Sequence, residues 1–267
     1  MSTDNKLYCM DEKIEKLCKT CRLFLDSDQQ ERSKLSQLSV YPTFLFDGYP
    51  GTGKSSVANI IYGSLKKDYN IDIYRLNIDE LISSDFGESS HNLREYFSRA
   101  KREIEENKSI CFVILDEVDS FTISRYRGDN DSIKRILLTF NTIIDDLVRS
   151  GDIYNFILVA TTNVKEVVDT SVLRRFSFKE DFNIEVDEDT FYQLLEQLSV
   201  LTDLKVDKST ISDMFQIYTR KKYTLGEVKA IFAKQYVEAL VSAGEPVLNP
   251  QHFQEYQTFH EITVMQK

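Results

Sequence analysis

A glycine-rich segment that ends in lysine and serine, residues 48–55 (GYPGTGKS), contains the residue types best suited to chemistry. It fits the spacing G-x-x-x-x-G-K-[ST] in full. Glycines let the backbone wrap closely, so that successive N–H groups point at phosphates, and the N-terminus of a following helix adds the positive end of its dipole. We therefore predict that this phosphate loop binds ATP, with Lys54 at the β- and γ-phosphates and the Ser55 hydroxyl on Mg²⁺. The predicted nucleotide-binding residues of the loop are Gly48, Pro50, Gly51, Thr52, Gly53, Lys54, Ser55 and Ser56.

Polar residues also follow two apolar runs. Asp116 and Glu117 come directly after residues 110–115 (ICFVIL), and Asn163 ends the run FILVATTN. Carboxylates at the end of a buried strand are costly unless they are used, and strand ends are where open α/β sheets bind ligands. Asp116 is predicted to bind nucleotide through Mg²⁺, and Glu117 to be the base that polarises the attacking water. The alternative for this pair is a helix cap. Asn163 is predicted to orient the water or contact the γ-phosphate.

A sheet with helices on both faces must bring these residues together. β-branched and apolar runs alternate with amphipathic segments, which is typical of a parallel sheet. We predict five strands, at residues 40–46, 71–76, 110–115, 156–160 and 177–184. Helices are predicted at residues 11–38 with a break at 26–28, and at 55–67, 89–107, 132–148, 188–200, 208–219, 225–243 and 249–259.

The strand pattern stops near residue 184, which predicts a domain boundary. The fold class is therefore α/β, with a five-stranded parallel sheet flanked by helices and followed by a small helical lid. We predict an N-terminal helical extension (1–39), a large α/β ATPase domain (40–184) and the lid (185–267). By elimination, the extension is the segment best placed to recruit a partner.

Composition narrows the class of protein. The chain has 267 residues and a net charge of -10, which argues against nucleic-acid binding because that relies on Lys and Arg. It has neither an apolar run long enough for a membrane span nor an apolar signal sequence near its start, so we expect a cytoplasmic protein without membrane contact. Cys18 and Cys21 form a lone CxxC without further zinc ligands near by, which favours thiols on a helix over a metal site.

Together these motifs resemble the AAA branch of the AAA+ ATPase superfamily, especially its small, single-ring bacterial members. The stretch GESSHNLREYFSRA (residues 87–100) is similar to a segment of AAA proteins that other phosphate-loop enzymes lack. The resemblance covers residues 42–178, with weaker support to residue 243. The segments that resemble Walker A, Walker B and sensor 1 are GYPGTGKS, VILDEVDS and ATTN.

The resemblance implies a homo-oligomer, usually a hexameric ring, with ATP at each subunit interface and an arginine finger from the neighbour. Arg174 and Arg175 are the candidates, with Arg174 favoured. Lys229 stands at the position of the sensor 2 arginine, and is either a nucleotide-binding residue or a surface lysine. Phe86 stands near the pore-loop position, either to grip substrate or to pack in the core.

Three functions are weighed. The first is an ATP-hydrolysing ring that remodels a protein partner. The second is an ATP-gated scaffold that recruits or activates a separately encoded effector, such as a defence-type effector, with slow hydrolysis as its timer. The third, a loader on nucleic acid, is disfavoured by the acidic charge.

Overall fold

The architecture was analysed in a computed structural model of the chain. The chain forms two compact units, which are described separately. The larger comprises Met1–Gly48 and Lys54–Phe182, and the smaller comprises Tyr49–Gly53 and Asn183–Lys267. The three-part division into extension, ATPase domain and lid stays a prediction. The structure describes residues 10–77, 88–119, 130–242 and 247–265.

A five-stranded parallel sheet forms the centre of the larger unit, as predicted. Its strand order is β2-β3-β4-β1-β5. The three central strands are buried along nearly their whole length, which explains their uninterrupted apolar sequences. The two edge strands mix buried or half-buried residues with exposed ones. The strands are β1 (Thr43–Asp47), β2 (Ile71–Asn77), β3 (Ile110–Asp116), β4 (Phe156–Thr162) and β5 (Phe178–Asp181).

Helices of the larger unit accompany the sheet at the predicted places. The structure adds a four-residue helix after β4 that the periodicity did not reveal, because so short an element shows no repeat. These helices are α1 (Asp11–Asp26), α2 (Gln29–Gln37), α3 (Lys54–Leu65), α4 (Glu88–Asn107), α5 (Asn130–Ser150) and α6 (Thr170–Leu173).

The N-terminal helices belong to the larger unit. Helix α1 packs on α3, and its buried stripe includes Cys18, Cys21 and Phe24. Burial raises the pKa of both thiols. The ring of Phe24 lies 5.8 Å from the Phe178 ring of β5. Asp28 begins α2 with a capping box, which explains the predicted break between the two helices.

The smaller unit is mainly helical, and it differs from the predictions in three places. Residues 208–210 form a 3₁₀ turn before α8 rather than the start of that helix. The predicted helix at 249–259 ends at Glu255, because Tyr256 is extended, and a separate helix begins at Phe259. Two short parallel strands also pair here, although no strand was expected after residue 184. The elements are α7 (Glu188–Thr202), β6 (Lys205–Val206), α8 (Ile211–Lys221), α9 (Leu225–Ser242), β7 (Val247–Leu248), α10 (Pro250–Glu255) and α11 (Phe259–Met265).

None of the helices within the described ranges is both long and apolar enough to cross a bilayer.

Candidate functional site

Strand order places three predicted site residues of the larger unit, Gly48, Asp116 and Asn163, where neighbouring strands end at one edge of the sheet. β4 lies between β3 and β1 in a parallel arrangement, so the three strands end side by side. Asp116 ends β3, Asn163 follows β4, and Gly48 follows β1. Adjacent parallel strands lie about 4.8 Å apart, which is close enough for side chains at their ends to meet.

Lys54 is the first residue of α3, and its side chain turns back to this edge. It is buried, and its Nζ donates to the Gly48 carbonyl oxygen at 2.5 Å and to Asn163 Oδ1 at 2.9 Å. Burial lowers the pKa of Lys54 to about 8, against the opposing attraction of nearby carboxylates, of which Asp119 is the strongest. The Lys54 amine is therefore a buried hydrogen-bond donor that is surrounded by acidic groups.

The Ser55 hydroxyl donates to Asp116 Oδ1 at 2.9 Å. The hydroxyl of Thr161, a buried β4 residue, donates to the same oxygen at 3.0 Å. A hydroxyl beside a carboxylate is the kind of hard oxygen set that Mg²⁺ prefers in nucleotide sites. The chemistry of Ser55 and Asp116 therefore fits the predicted magnesium site.

Glu117 has an unusual backbone. Its φ is 59°, in the left-handed region that non-glycine residues seldom adopt. Its N–H donates to Thr161 Oγ1 at 3.1 Å, and the residue is exposed. The left-handed backbone at Glu117 therefore turns the chain away from the direction of β3, directly after that strand ends. Thr161 therefore forms hydrogen bonds with both acidic residues. The motif ATTN includes this threonine, but its contacts depend on the pairing of β3 with β4, which the motif does not show.

Asn163 lies between Lys54 and Asp119. Its side-chain oxygen accepts the Lys54 bond, and its backbone N–H donates to Asp119 Oδ1 at 3.3 Å. Asp119 is buried, and sequence reasoning did not single it out. Its position two residues after Glu117 was the available signal.

The tip of the phosphate loop, residues 49–53, belongs to the smaller unit. Gly51 has φ +80°, and a Cβ added at Gly226 would lie 2.3 Å from the Gly51 carbonyl oxygen. Both positions therefore require glycine, one for its backbone angle and the other for close approach. Thr52 Oγ1 donates to the Tyr49 carbonyl oxygen at 2.9 Å and closes the turn. The other predicted loop residues lie along the same segment: Gly48 at φ 152°, Pro50 half-buried, Gly53 at φ 92°, and Ser56 half-buried in α3.

The two candidate finger arginines have different surroundings. Arg174 follows α6 and is exposed. The Arg175 side chain is only 9% exposed, and donates to the Ser171 carbonyl oxygen at 3.0 Å and to Asp145 Oδ2 at 2.7 Å. The fold thus bonds Arg175 within its own chain and leaves Arg174 at the surface.

Two further predicted residues lie in the smaller unit or outside the described residues. Lys229 is half-buried in α9 of the smaller unit, and burial lowers its pKa. Phe86 lies outside the described residues.

Comparison with known proteins supports the resemblance. The sequence model of AAA, the ATPase family associated with various cellular activities, matches residues 44–203. This match runs from β1 to the residue after α7, and it includes Lys54, Asp116 and Asn163.

Several curated proteins are similar over this region. A putative cell division cycle ATPase of Plasmodium falciparum is 31% identical over 61% of this chain and 12% of its own length. An uncharacterized AAA family ATPase of Sinorhizobium fredii is 31% identical over 52% of this chain and 38% of its own length. A putative 26S proteasome regulatory subunit homolog of Methanocaldococcus jannaschii is 28% identical over 66% of this chain and 44% of its own length. The chain thus spans less than half the length of these relatives.

A solved structure extends the likeness to nearly the whole chain. It is titled as a HORMA:CdnC:Trip13 complex of E. coli MS115-1, and the matched chain has a TM-score of 0.72. The alignment covers 94% of this chain and 90% of that chain at 16% identity, which establishes a shared fold.

Proposed function

Because the chain belongs to the AAA family of ATPases, we propose that it binds Mg²⁺ and ATP, hydrolyses the ATP, and couples the nucleotide state to remodelling of a protein partner. The observation that carries this proposal is the convergence of Lys54, Asn163 and the Ser55–Asp116 pair at one edge of the sheet. A buried cation can bind phosphate oxygens, a hydroxyl–carboxylate pair can hold Mg²⁺, and a side-chain amide can orient water, which are recurring parts of sites that hydrolyse a triphosphate.

Each residue has a separate role in hydrolysis. Lys54 exchanges its present bonds to Gly48 and Asn163 for bonds to phosphate oxygens, which compete for the same ammonium protons. Ser55 and Asp116 would hold Mg²⁺, which would supply positive charge at the phosphates when bound. The exposed carboxylate of Glu117 accepts a proton from the attacking water. Asn163, released from Lys54, orients that water through its side-chain amide.

The remaining charge comes from a neighbouring subunit in this proposal. Arg174 is exposed, so that it can reach the phosphates of an adjacent copy in a hexameric ring. A planar guanidinium suits the charge that develops on a transferred phosphoryl group. Arg175, bonded to Asp145, is better suited to anchoring the segment that presents Arg174.

A second candidate is an ATP-gated scaffold that recruits or activates a separately encoded effector. The similar fold in the HORMA:CdnC:Trip13 structure favours it, because that chain was solved together with other proteins and matches this one almost end to end. In this case hydrolysis limits the lifetime of the assembly instead of driving unfolding.

The variant Glu117→Gln tests the proposed chemistry. We expect it to bind ATP as the wild type does, while turnover falls on the order of 10²-fold or more, because general-base catalysis contributes about that much. Phosphate release and ATP affinity are measured on the same preparations. Glu106→Gln, at an exposed position near the end of α4, is the control and should turn over ATP normally. Wild-type turnover in Glu117→Gln would contradict the assignment of the base.

Partner assays separate the two candidate functions. A remodelling ring should unfold or dissociate its protein partner only while ATP is hydrolysed, and the Glu117→Gln variant should fail to do so. A scaffold should assemble with its effector in ATP, and Glu117→Gln should prolong that assembly. Effector activation by the variant, without unfolding by the wild type, would favour the scaffold.

A further inference from the structure

An ion pair beside the candidate site is not used by the roles proposed above. Lys165 Nζ lies 2.7 Å from Asp47 Oδ2. Asp47 is the last residue of β1, directly before Gly48, and its side chain is 10% exposed. Lys165 begins the 3₁₀ turn after β4, two residues beyond Asn163. The pair therefore joins the start of the phosphate loop to the segment that bears Asn163.

Two bonds connect these neighbouring segments side by side. One is the ion pair between Asp47 and Lys165, and the other is the bond from Lys54 to Asn163 Oδ1. Phosphate oxygens compete for the Lys54 protons, so ATP binding removes the second bond but leaves the first. Of these two side-chain bonds between residues 47–54 and the Asn163 segment, the ion pair would then remain.

The ion pair has the properties that such a connection needs. Asp47 is nearly buried, so its attraction to Lys165 is screened less than at an open surface. Its carbonyl oxygen also accepts the Phe182 N–H at 2.7 Å, which fixes its backbone beside β5. Asp47 and the charge of Asp181 both raise the pKa of Lys165, so the lysine stays protonated.

We propose that Lys165 is a positioning residue, which acts in hydrolysis through Asn163 by holding that segment on Asp47 after ATP has taken the Lys54 bond. This inference rests on the proposed ATP hydrolysis. It assigns no contact between Lys165 and the nucleotide. A loss of the pair should therefore affect turnover and leave ATP binding largely intact.

Kinetics of Lys165→Met and Asn163→Ala, singly and combined, test the proposal. A misplacement of about 1 Å can cost on the order of 10²-fold, so we expect kcat of Lys165→Met to fall about tenfold or more, with little change in ATP affinity. In the Asn163→Ala background, Lys165→Met should have no further effect, because residues that act as one unit are not additive. Single-turnover assays with radiolabelled ATP keep the slow variants measurable.

Two further variants separate positioning from stability. Lys165→Met leaves the buried Asp47 carboxylate without this partner, so the neutral double variant Asp47→Asn with Lys165→Met is assayed as well and should show the same loss of kcat. Lys101→Met breaks an ion pair with Asp152 that has a similar length, 2.6 Å, and a similar lysine exposure, 41% against 42%. Because Lys101 and Asp152 lie by the N-terminal ends of the strands, this control should keep wild-type kcat.

The outcomes distinguish this inference from the function on which it rests. Wild-type kcat in Lys165→Met, or an equal loss in the wild-type and Asn163→Ala backgrounds, would overturn the inference alone. A wild-type chain that binds ATP without any turnover would overturn the proposed hydrolysis, and the inference with it. If Lys165→Met lowers kcat in the wild-type background but not in the Asn163→Ala background, the result would support both the inference and the proposed hydrolysis.

Discussion

At the residue scale, the Thr161 hydroxyl links the two acidic residues of the candidate site. It donates to Asp116 and accepts from the N–H of Glu117, whose backbone is left-handed. A residue in a costly conformation persists only where its surroundings hold it. Thr161 therefore fixes the orientation of the proposed base from a neighbouring strand.

The variant Thr161→Val removes this hydroxyl and keeps the side-chain shape. We expect the free energy of unfolding to fall by about 1 kcal/mol, as for other buried hydrogen bonds. We also expect ATP turnover to fall about tenfold with binding retained, since a small misplacement of catalytic groups is costly. Ser109→Ala, which loses a 2.6 Å bond to Asp72 at the opposite end of the sheet, should lose similar stability but keep its turnover. Equal turnover in the two variants would argue against a role for Thr161.

Sequence and structure differ in what they reveal at this scale. Lys54, Ser55 and Asp116 were predictable as candidate site residues, because contiguous motifs specify them; their chemical roles stay predictions. The roles proposed for Thr161 and Lys165 were not predictable, because each depends on which strands are neighbours. That β4 lies between β3 and β1 is a property of the sheet and is absent from any local pattern.

At the scale of elements, helix α1 is attached to the larger unit along its length. Phe24 is buried beside Tyr154 and Phe178, and Lys16 pairs with Glu180 at 3.4 Å. The helix also donates from Lys13 to the Asp181 carbonyl oxygen of β5. These contacts make α1 a structural part of this unit as well as a candidate for recruiting a partner.

Two adjacent substitutions in α1 test this attachment. Phe24→Ala should lower the free energy of unfolding by about 3–5 kcal/mol, because it leaves a cavity between α1 and the sheet. Leu23 is 56% exposed, and Leu23→Ala should change the free energy of unfolding by no more than about 0.5 kcal/mol. Chemical denaturation followed by circular dichroism compares them. Equal midpoints for the two variants would show that α1 is not anchored through Phe24.

Helices and strands with a clear hydrophobic periodicity were predictable from the sequence, whereas elements of only a few residues were not. The break before α2 was predicted from the sequence, and the structure explains it by a capping box of Asp28 and Glu31. Strands β6 and β7 have two residues each, too few for any alternation, and their pairing joins residues that are distant in sequence. The split between α10 and α11 depends on the extended backbone of Tyr256, which no proline or glycine marks.

At the scale of the whole molecule, we propose an active site that is shared between subunits. In this proposal each copy would supply Lys54, Asp116 and Glu117 to its own site and Arg174 to the site of its neighbour. The relatives are longer proteins, so the ring and its protein partner remain proposals for this chain.

Mixing defective subunits tests the shared site. Arg174→Ala and Glu117→Gln should each have low ATP turnover alone, since an arginine finger contributes about 10³-fold or more. An equimolar mixture should recover part of the activity, because an Arg174→Ala subunit beside a Glu117→Gln subunit has one complete site. A mixture of Lys54→Ala with Glu117→Gln should not recover, because both groups act within one subunit. Absence of recovery in the first mixture would contradict a finger supplied by the neighbour.

The most direct test of the central claim, that residues 48–55 hold the phosphates of ATP, is an equilibrium titration with a fluorescent ATP analogue in the presence of Mg²⁺. The wild type and Lys101→Ala, a lysine variant far along the chain from the loop, should bind with the same affinity. Lys54→Ala should show no saturable binding, because it lacks the buried ammonium that the phosphates would contact. Wild-type affinity in Lys54→Ala would contradict the account.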